Sequence, residues 1–384
     1  MNAKPTCYRN SSRAIGGTSV WRLLSSLLLL AVAACAVAPP PPPKPVVIPV
    51  FPPPPERARF VYERSIYSSA DVIRDDAKTD FRRLVTGERK VGEGLAKPYG
   101  IAVMRGRVYV TDSVKHVVMV FDFPQGRYFE IGTQSEGGLR LPLGVDVDAA
   151  GNVYVSDGGT HRVAVYDTDG KFLRLLGGPD VLKRPAGIAV DPAGSRVYVV
   201  DIGGIDSQDH GVRVLDAKTG EHLSSIGRRG DGPGEFNLPR DVAVGKDGLL
   251  YIVDGGNFRI QVMRPDGGFV RSFGAVGRQG GQFSRPKEIA IDRTGNVYVV
   301  DAAFGNFQIF TPDGKLLLDV GGRSNTDGPA KYMLPSGIAV DEDGRVYVVD
   351  QYFRKVDIYR PAELDVAAGF LGKSAESAKQ GGGK

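Results

Sequence analysis

The chain has little to crosslink, little to span a membrane and no familiar catalytic signature. Its only cysteines are Cys7 and Cys35 in 384 residues, both near the N-terminus, so no disulfide framework can staple the body. The longest strongly apolar run, Leu23 to Ala34, is too short to cross a bilayer comfortably. There is no GxSxG and no HExxH. The glycine strings "GRRGDGPG" and "GAVGRQGG" lack a following Gly-Lys-Ser/Thr and a helix, which excludes a phosphate cradle. Acid is absent from residues 1–34, where Lys4, Arg9, Arg13 and Arg22 supply four of the formal +5 charges. The remainder carries about +1, too little for binding nucleic acid through its phosphates.

What is present begins with that N-terminus. Four cations followed by "LLSSLLLLAVAA" read as an export signal. The run closes in "VAAC", Val32 to Cys35, which resembles the lipobox of bacterial lipoproteins. That resemblance implies cleavage after residue 34, a diacylglycerol on Cys35 and membrane attachment; an ordinary secretory signal with an incidental cysteine is the alternative. Ala36, rather than Asp, favours the outer membrane by the same resemblance, with the body facing the periplasm. Residues 35–55 follow as a proline-rich stalk, "APPPPPKPVVIPVFPPPP", whose polyproline II would reach on the order of 50 Å. Residues 56–80 are read as an extension packed on the body and 362–384 as a flexible tail.

Between them one phrase repeats. It opens at Pro98, Pro142, Pro185, Pro239, Pro286 and Pro335, and each copy continues to a strand ending in Asp: Asp112, Asp157, Asp201, Asp254, Asp301 and Asp350. Alternating apolar residues, Asp-Gly turns and a step of 44 to 53 residues between those aspartates predict four antiparallel strands per copy. This predicts an all-β, six-bladed propeller over residues 81–361. The last copy lacks its outer strand, and 81–87 matches the missing phrase, so an N-terminal outer strand at Phe81 to Gly87 is expected to close the ring.

The stretch "DGPGEFNLPRDVAVGKDGLLYIVDGGNFRIQVMRPDGGFVRSFG", Asp231 to Gly274, resembles the NHL repeat. The resemblance implies a six-bladed propeller and no single activity, since relatives include scaffolds, RNA binders, lyases and lactonases.

Residues shared by all blades read as scaffold, and the strand-two aspartates as turn-formers accepting backbone N–H groups. Candidate site residues are those that differ between blades on the face holding the loop before strand one and the loop between strands two and three. His116, His161 and His210 fall in one register there, with Phe258, Gly305 and Arg354 at the equivalent places. Neighbouring blades hold such positions about 10 Å apart, too far for a shared metal that needs its nitrogens at about 2 Å. Nearer the axis, Tyr99, Arg240, Asp241, Lys287 and Glu288 replace the commoner small residues. They read either as a self-neutralising rim of ion pairs or as a polar recognition site or carboxylate pair. Asn257, Phe258, Phe304, Tyr352, Phe353 and Arg354 complete the candidate loop-face set.

The expected function is non-catalytic recognition of an envelope protein or polysaccharide by a monomeric propeller, with no cofactor, metal or nucleic acid. The alternative is a propeller enzyme resembling the amidating lyases or gluconolactonases, with a metal in the channel. The lyases' Pro-His-Gly opening is absent from all six copies, and only Asp241 and Glu288 could contribute to a lactonase-like acidic cage.

Overall fold

The computed structural model describes residues 48–74, 82, 85–88, 91–204 and 206–372. The export signal, Cys35 and the tail from residue 373 lie outside the described residues. Within them six antiparallel blade sheets, five of four strands and one of five, follow one another around a ring. Blade one is Pro98–Met104, Arg107–Asp112, Val117–Asp122 and Arg127–Ile131, from the axis outward. Blades two to five have inner strands Pro142–Val147, Pro185–Val190, Val242–Val244 and Pro286–Ile291. Blade six is Pro335–Val340, Val346–Asp350 and Lys355–Pro361 plus one strand from the other end of the chain. The sheets belong to the all-β class expected from the repeats.

Burial explains the composition of each strand. Second strands such as Val153–Asp157 and Val297–Asp301 are buried at every residue, on both faces, because each blade is packed between two others. A β-branched side chain therefore packs at nearly every position there. Outer strands keep the period of two: Phe172–Leu176 alternates partly buried and exposed residues before its buried Leu176. The single buried face expected from the alternation thus holds at the rim and fails further in. The six apolar clusters each sit between adjacent blades; one joins Tyr109, Val118 and Val120 of blade one to Val145, Val153 and Val155 of blade two. Another joins blade six back to blade one through Val349, Val356, Val108 and Val110.

Ring closure is as expected in kind but not in place. The outer strand of blade six is Phe60–Ile66, running antiparallel to Lys355–Pro361 with Phe60 opposite Pro361 and Ile66 opposite Val356. Residues 81–87 do not hold that position; of them, 81, 83 and 84 lie outside the described residues. The propeller therefore reaches back through residues assigned to the extension. Val50–Phe51, assigned to the stalk, adds a two-residue fifth strand. The physical reason lies in blade six. Arg345 is wholly buried, and its Nε donates to Glu63 Oε2 at 2.9 Å. Ser65 donates to Asp357, which also pairs with the buried Lys355 at 3.0 Å. The segment Phe-Arg-Arg-Leu-Val-Thr-Gly at 81–87 has no carboxylate to offer Arg345.

Candidate functional site

Each strand-two aspartate is fully buried and organises the loop face. Asp112 accepts the N–H groups of Ala96, Lys97, Val114 and Lys115 at 2.7–3.1 Å. Asp350 does the same for Met333, Leu334, Tyr352 and Phe353 at 2.7–2.9 Å. One carboxylate thus ties the loop entering its blade to the loop between strands two and three. In blade four Asp254 takes the Asn237 N–H and the side chains of Asn257 and Arg259. Asn257 therefore belongs to this scaffold, with its Nδ2 also donating to the Gly230 carbonyl.

The histidine register has a backbone cause. His116, His161, Phe258, Gly305 and Arg354 all have positive φ, between 55° and 67°, in the turn that opens strand three. The sequence placed His210 with them, and the structure removes it. The longer blade-three loop buries His210 completely, where Nδ1 accepts the Leu238 N–H at 3.2 Å and Nε2 donates to the Gly204 carbonyl at 3.3 Å. His161 donates from Nδ1 to the Lys183 carbonyl at 2.8 Å, and His116 is exposed. The three are not a set, and among the described residues no three His, Cys, Asp or Glu side chains converge to hold a metal. His210→Ala should cost about 1–3 kcal/mol through the orphaned Leu238 N–H and Gly204 carbonyl. His116→Gly should leave stability equal or raised, since glycine accepts positive φ without strain. Urea unfolding of the two variants checks the contrast.

The rim of ion pairs expected from Arg240, Asp241, Lys287 and Glu288 does not form. The acids turn inward. Asp241 Oδ2 accepts the Ile289 N–H of blade five at 3.0 Å, and Glu288 Oε2 accepts the Ile338 N–H of blade six at 2.9 Å. They occupy space left by glycine at the same position in other blades. A Cβ on Gly100 or Gly337 would come within 3.1 or 3.0 Å of the Glu288 oxygens, and one on Gly187 would overlap Asp241. Asp146, the carboxylate that the sequence reading missed, joins them. It accepts the Val190 and Val147 N–H groups, each at 2.8 Å. Its signal is in the repeat itself, since the other five blades have alanine there.

These three acids line a central cavity of about 290 Å³. Its walls include the turn residues Asp148, Ala149, Asp191 and Pro192, and none of Tyr99, Arg240 or Lys287. The cavity therefore reaches toward the face opposite the candidate loops, with Asp241 and Glu288 between it and the loop-face mouth. Burial pushes Asp146 up to about 6 and Asp241 up to about 7, and Glu288, buried beside Asp241, well above the ordinary carboxylate range. A carboxyl raised in the folded state favours folding fully below the unfolded value near 3.8, and that contribution is lost as pH rises through about 7. Asp241→Asn/Glu288→Gln should therefore flatten the fall in stability between pH 4 and 7 and be the more stable chain at pH 8. Thermal melts across that range measure it.

The cations stay above. Lys287 Nζ lies 5.8 Å from the centre of the Tyr99 ring, and burial together with Arg240 and Arg285 lowers its ammonium to about 8. No carboxylate lies within 4.0 Å of Arg240, Arg285 or Lys287 among the described residues. Of the aromatics, Tyr352 is 59% exposed and meets Phe353 edge-on at 5.2 Å. Lys355 lies 5.8 Å from the Phe353 ring. Phe304 is half-buried, and Phe258 packs against the core between blades four and five.

Comparison with known proteins agrees with this architecture. The NHL repeat model matches residues 139–166 and 236–263, in blades two and four. NHL repeat-containing protein 3 of Mus musculus is 27% identical over 184 residues, 43% of this chain and 50% of the mouse protein. The chain thus spans about half the length of that relative. A gluconolactonase from Xanthomonas campestris superposes with a TM-score of 0.54 at 16% identity, covering 78% of this chain and 98% of the other. A streptogramin B lyase gives 0.51 at 15%, covering 69% and 94%. At such identities these two likenesses concern the fold alone. With the NHL repeat matched in sequence in blades two and four and six blades of the expected build, the body of this chain is a six-bladed β-propeller that carries NHL repeats.

Proposed function

We propose that this protein is a non-catalytic recognition module, tethered to a bacterial envelope through Cys35, whose loop face binds an envelope component. The observation that carries the reading is how the channel acids are used. Asp146, Asp241 and Glu288 each accept backbone N–H groups from neighbouring inner strands, so they serve as ties across the ring. The side chains left without such commitments are on the loop face: Tyr99, Arg240, Lys287, Tyr352 and the exposed Arg354. A rigid ring presenting different side chains from each blade suits recognition, as loops on a fixed scaffold do.

A photo-crosslinking residue at position 352, in intact cells, should capture an envelope component that the same residue at position 173 on the outer strand of blade two does not. Capture from both positions or neither sinks the reading. Turnover of a lactone or a streptogramin with added calcium would favour an enzyme like the gluconolactonase or streptogramin lyase that share the fold. The tether is checked separately: intact mass of membrane-extracted protein should show a diacylglyceryl group on Cys35.

A further inference from the structure

The positions beside the six opening prolines, on the loop face, carry charge of one sign. The twelve positions flanking the six opening prolines hold Lys97, Arg184, Arg240, Arg285 and Lys287 and not a single acid. These five come from blades one, three, four and five, so the charge surrounds the axis and is not a patch on one sheet. Lys97, Arg184 and Arg285 are exposed; Arg240 and Lys287 are half-buried. None has a carboxylate partner within 4.0 Å among the described residues. The acids that could have neutralised them, Asp241 and Glu288, are turned into the channel and held there by backbone amides.

Gathering like charges with no counter-ion is unfavourable in the free protein, and the half-buried Lys287 bears part of that cost. An anion from outside removes it, and arginine forks suit a carboxylate in two-pronged contact. The charges recur at blade spacing around a rim that the central cavity does not reach. Such a rim suits a ligand carrying repeated charges across a surface better than one small molecule held in a pocket. The half-buried Tyr99 ring lies beneath Lys287, and the exposed Tyr352 offers a flat apolar face on the same side of the propeller.

We infer that this mouth binds an acidic polysaccharide, with carboxylates of successive sugars meeting Arg240, Arg285 and Lys287 and sugar faces lying on the aromatic rings. The inference deepens the recognition reading and rests on it. The test uses the whole purified protein and four probes: oligogalacturonate, its methyl-esterified form, poly-glutamate and a single-stranded oligonucleotide. Oligogalacturonate should bind at low salt, weaken steeply as salt is raised, and exceed the neutral ester at least tenfold. R240Q/K287Q should lose at least tenfold of that affinity, while R293Q, at the opposite mouth, should not change it. Absence of oligogalacturonate binding, or binding indifferent to R240Q/K287Q, overturns the assignment. So does tighter binding of poly-glutamate or the oligonucleotide. If instead the ester binds equally well and Tyr352→Ala weakens it, the loop face remains a recognition surface and only its anionic specificity falls.

Discussion

Arg345→Met should destabilise the propeller by about 2–4 kcal/mol, because it leaves the buried Glu63 carboxylate with only the partly exposed Arg64, 3.5 Å away. Arg345 has no exposed side-chain surface, and Glu63 only 2%. Their 2.9 Å contact joins the turn leading into the second strand of blade six to the strand that closes the ring. The arginine also donates to the Ala368 carbonyl at 3.0 Å, so the same side chain fastens the segment after blade six. Removing both charges, in Arg345→Met/Glu63→Met, should recover much of the loss, since burying two apolar groups of similar size costs less than stranding one charge. Denaturant unfolding of the wild type, both single variants and the pair gives the coupling. A single-variant loss below about 1 kcal/mol would show that the contact does not hold the closure.

Removing the closing strand should have the larger effect. A chain beginning at Ser68 loses Phe60–Ile66, which pairs along Lys355–Pro361 and places Phe60 and Ile66 in two inter-blade cores. Blade six would then present an open edge with Lys355, Asp357 and Arg345 stripped of cover. The expected outcome is loss of the cooperative melt and concentration-dependent association, seen by calorimetry and light scattering. A chain beginning at Ile48 should keep both the melt and the monomer. A peptide of residues 48–67 added to the shorter chain should restore the transition in proportion to its concentration, as a ligand of the folded state does. A monodisperse, cooperatively melting chain from Ser68 would mean that 81–87 can take the closing place after all.

Competition for the closing place is settled by contacts far apart in the chain. Residues 81–97 look like the outer strand and loop of a blade, and the loop half does behave so: Ala96 and Lys97 donate to Asp112 as Ser284 and Arg285 do to Asp301. The strand half loses to Phe60–Ile66 over partners some 280–300 residues away in sequence, a buried arginine and a buried aspartate that no local pattern announces. His210 is a similar case. Its distance from the end of strand three matched the other histidines, yet the extra loop of blade three folds over it and converts a surface position into a buried one.

What the sequence by itself determined was the repeat: six proline openings, six strand-ending aspartates and turn-forming Asp-Gly pairs, which fix strand number, blade number and the scaffold role of each shared residue. These are local rules with a period, and copying them six times leaves little room for another fold. The direction of the odd residues was decided only in three dimensions. Asp241 and Glu288 stand beside Arg240 and Lys287 in the chain but go the other way, because the glycines of facing blades leave them room and inner-strand amides need acceptors. Neighbouring residues on a strand point to opposite sides, and which side holds the partner depends on blades that the chain reaches much earlier or later.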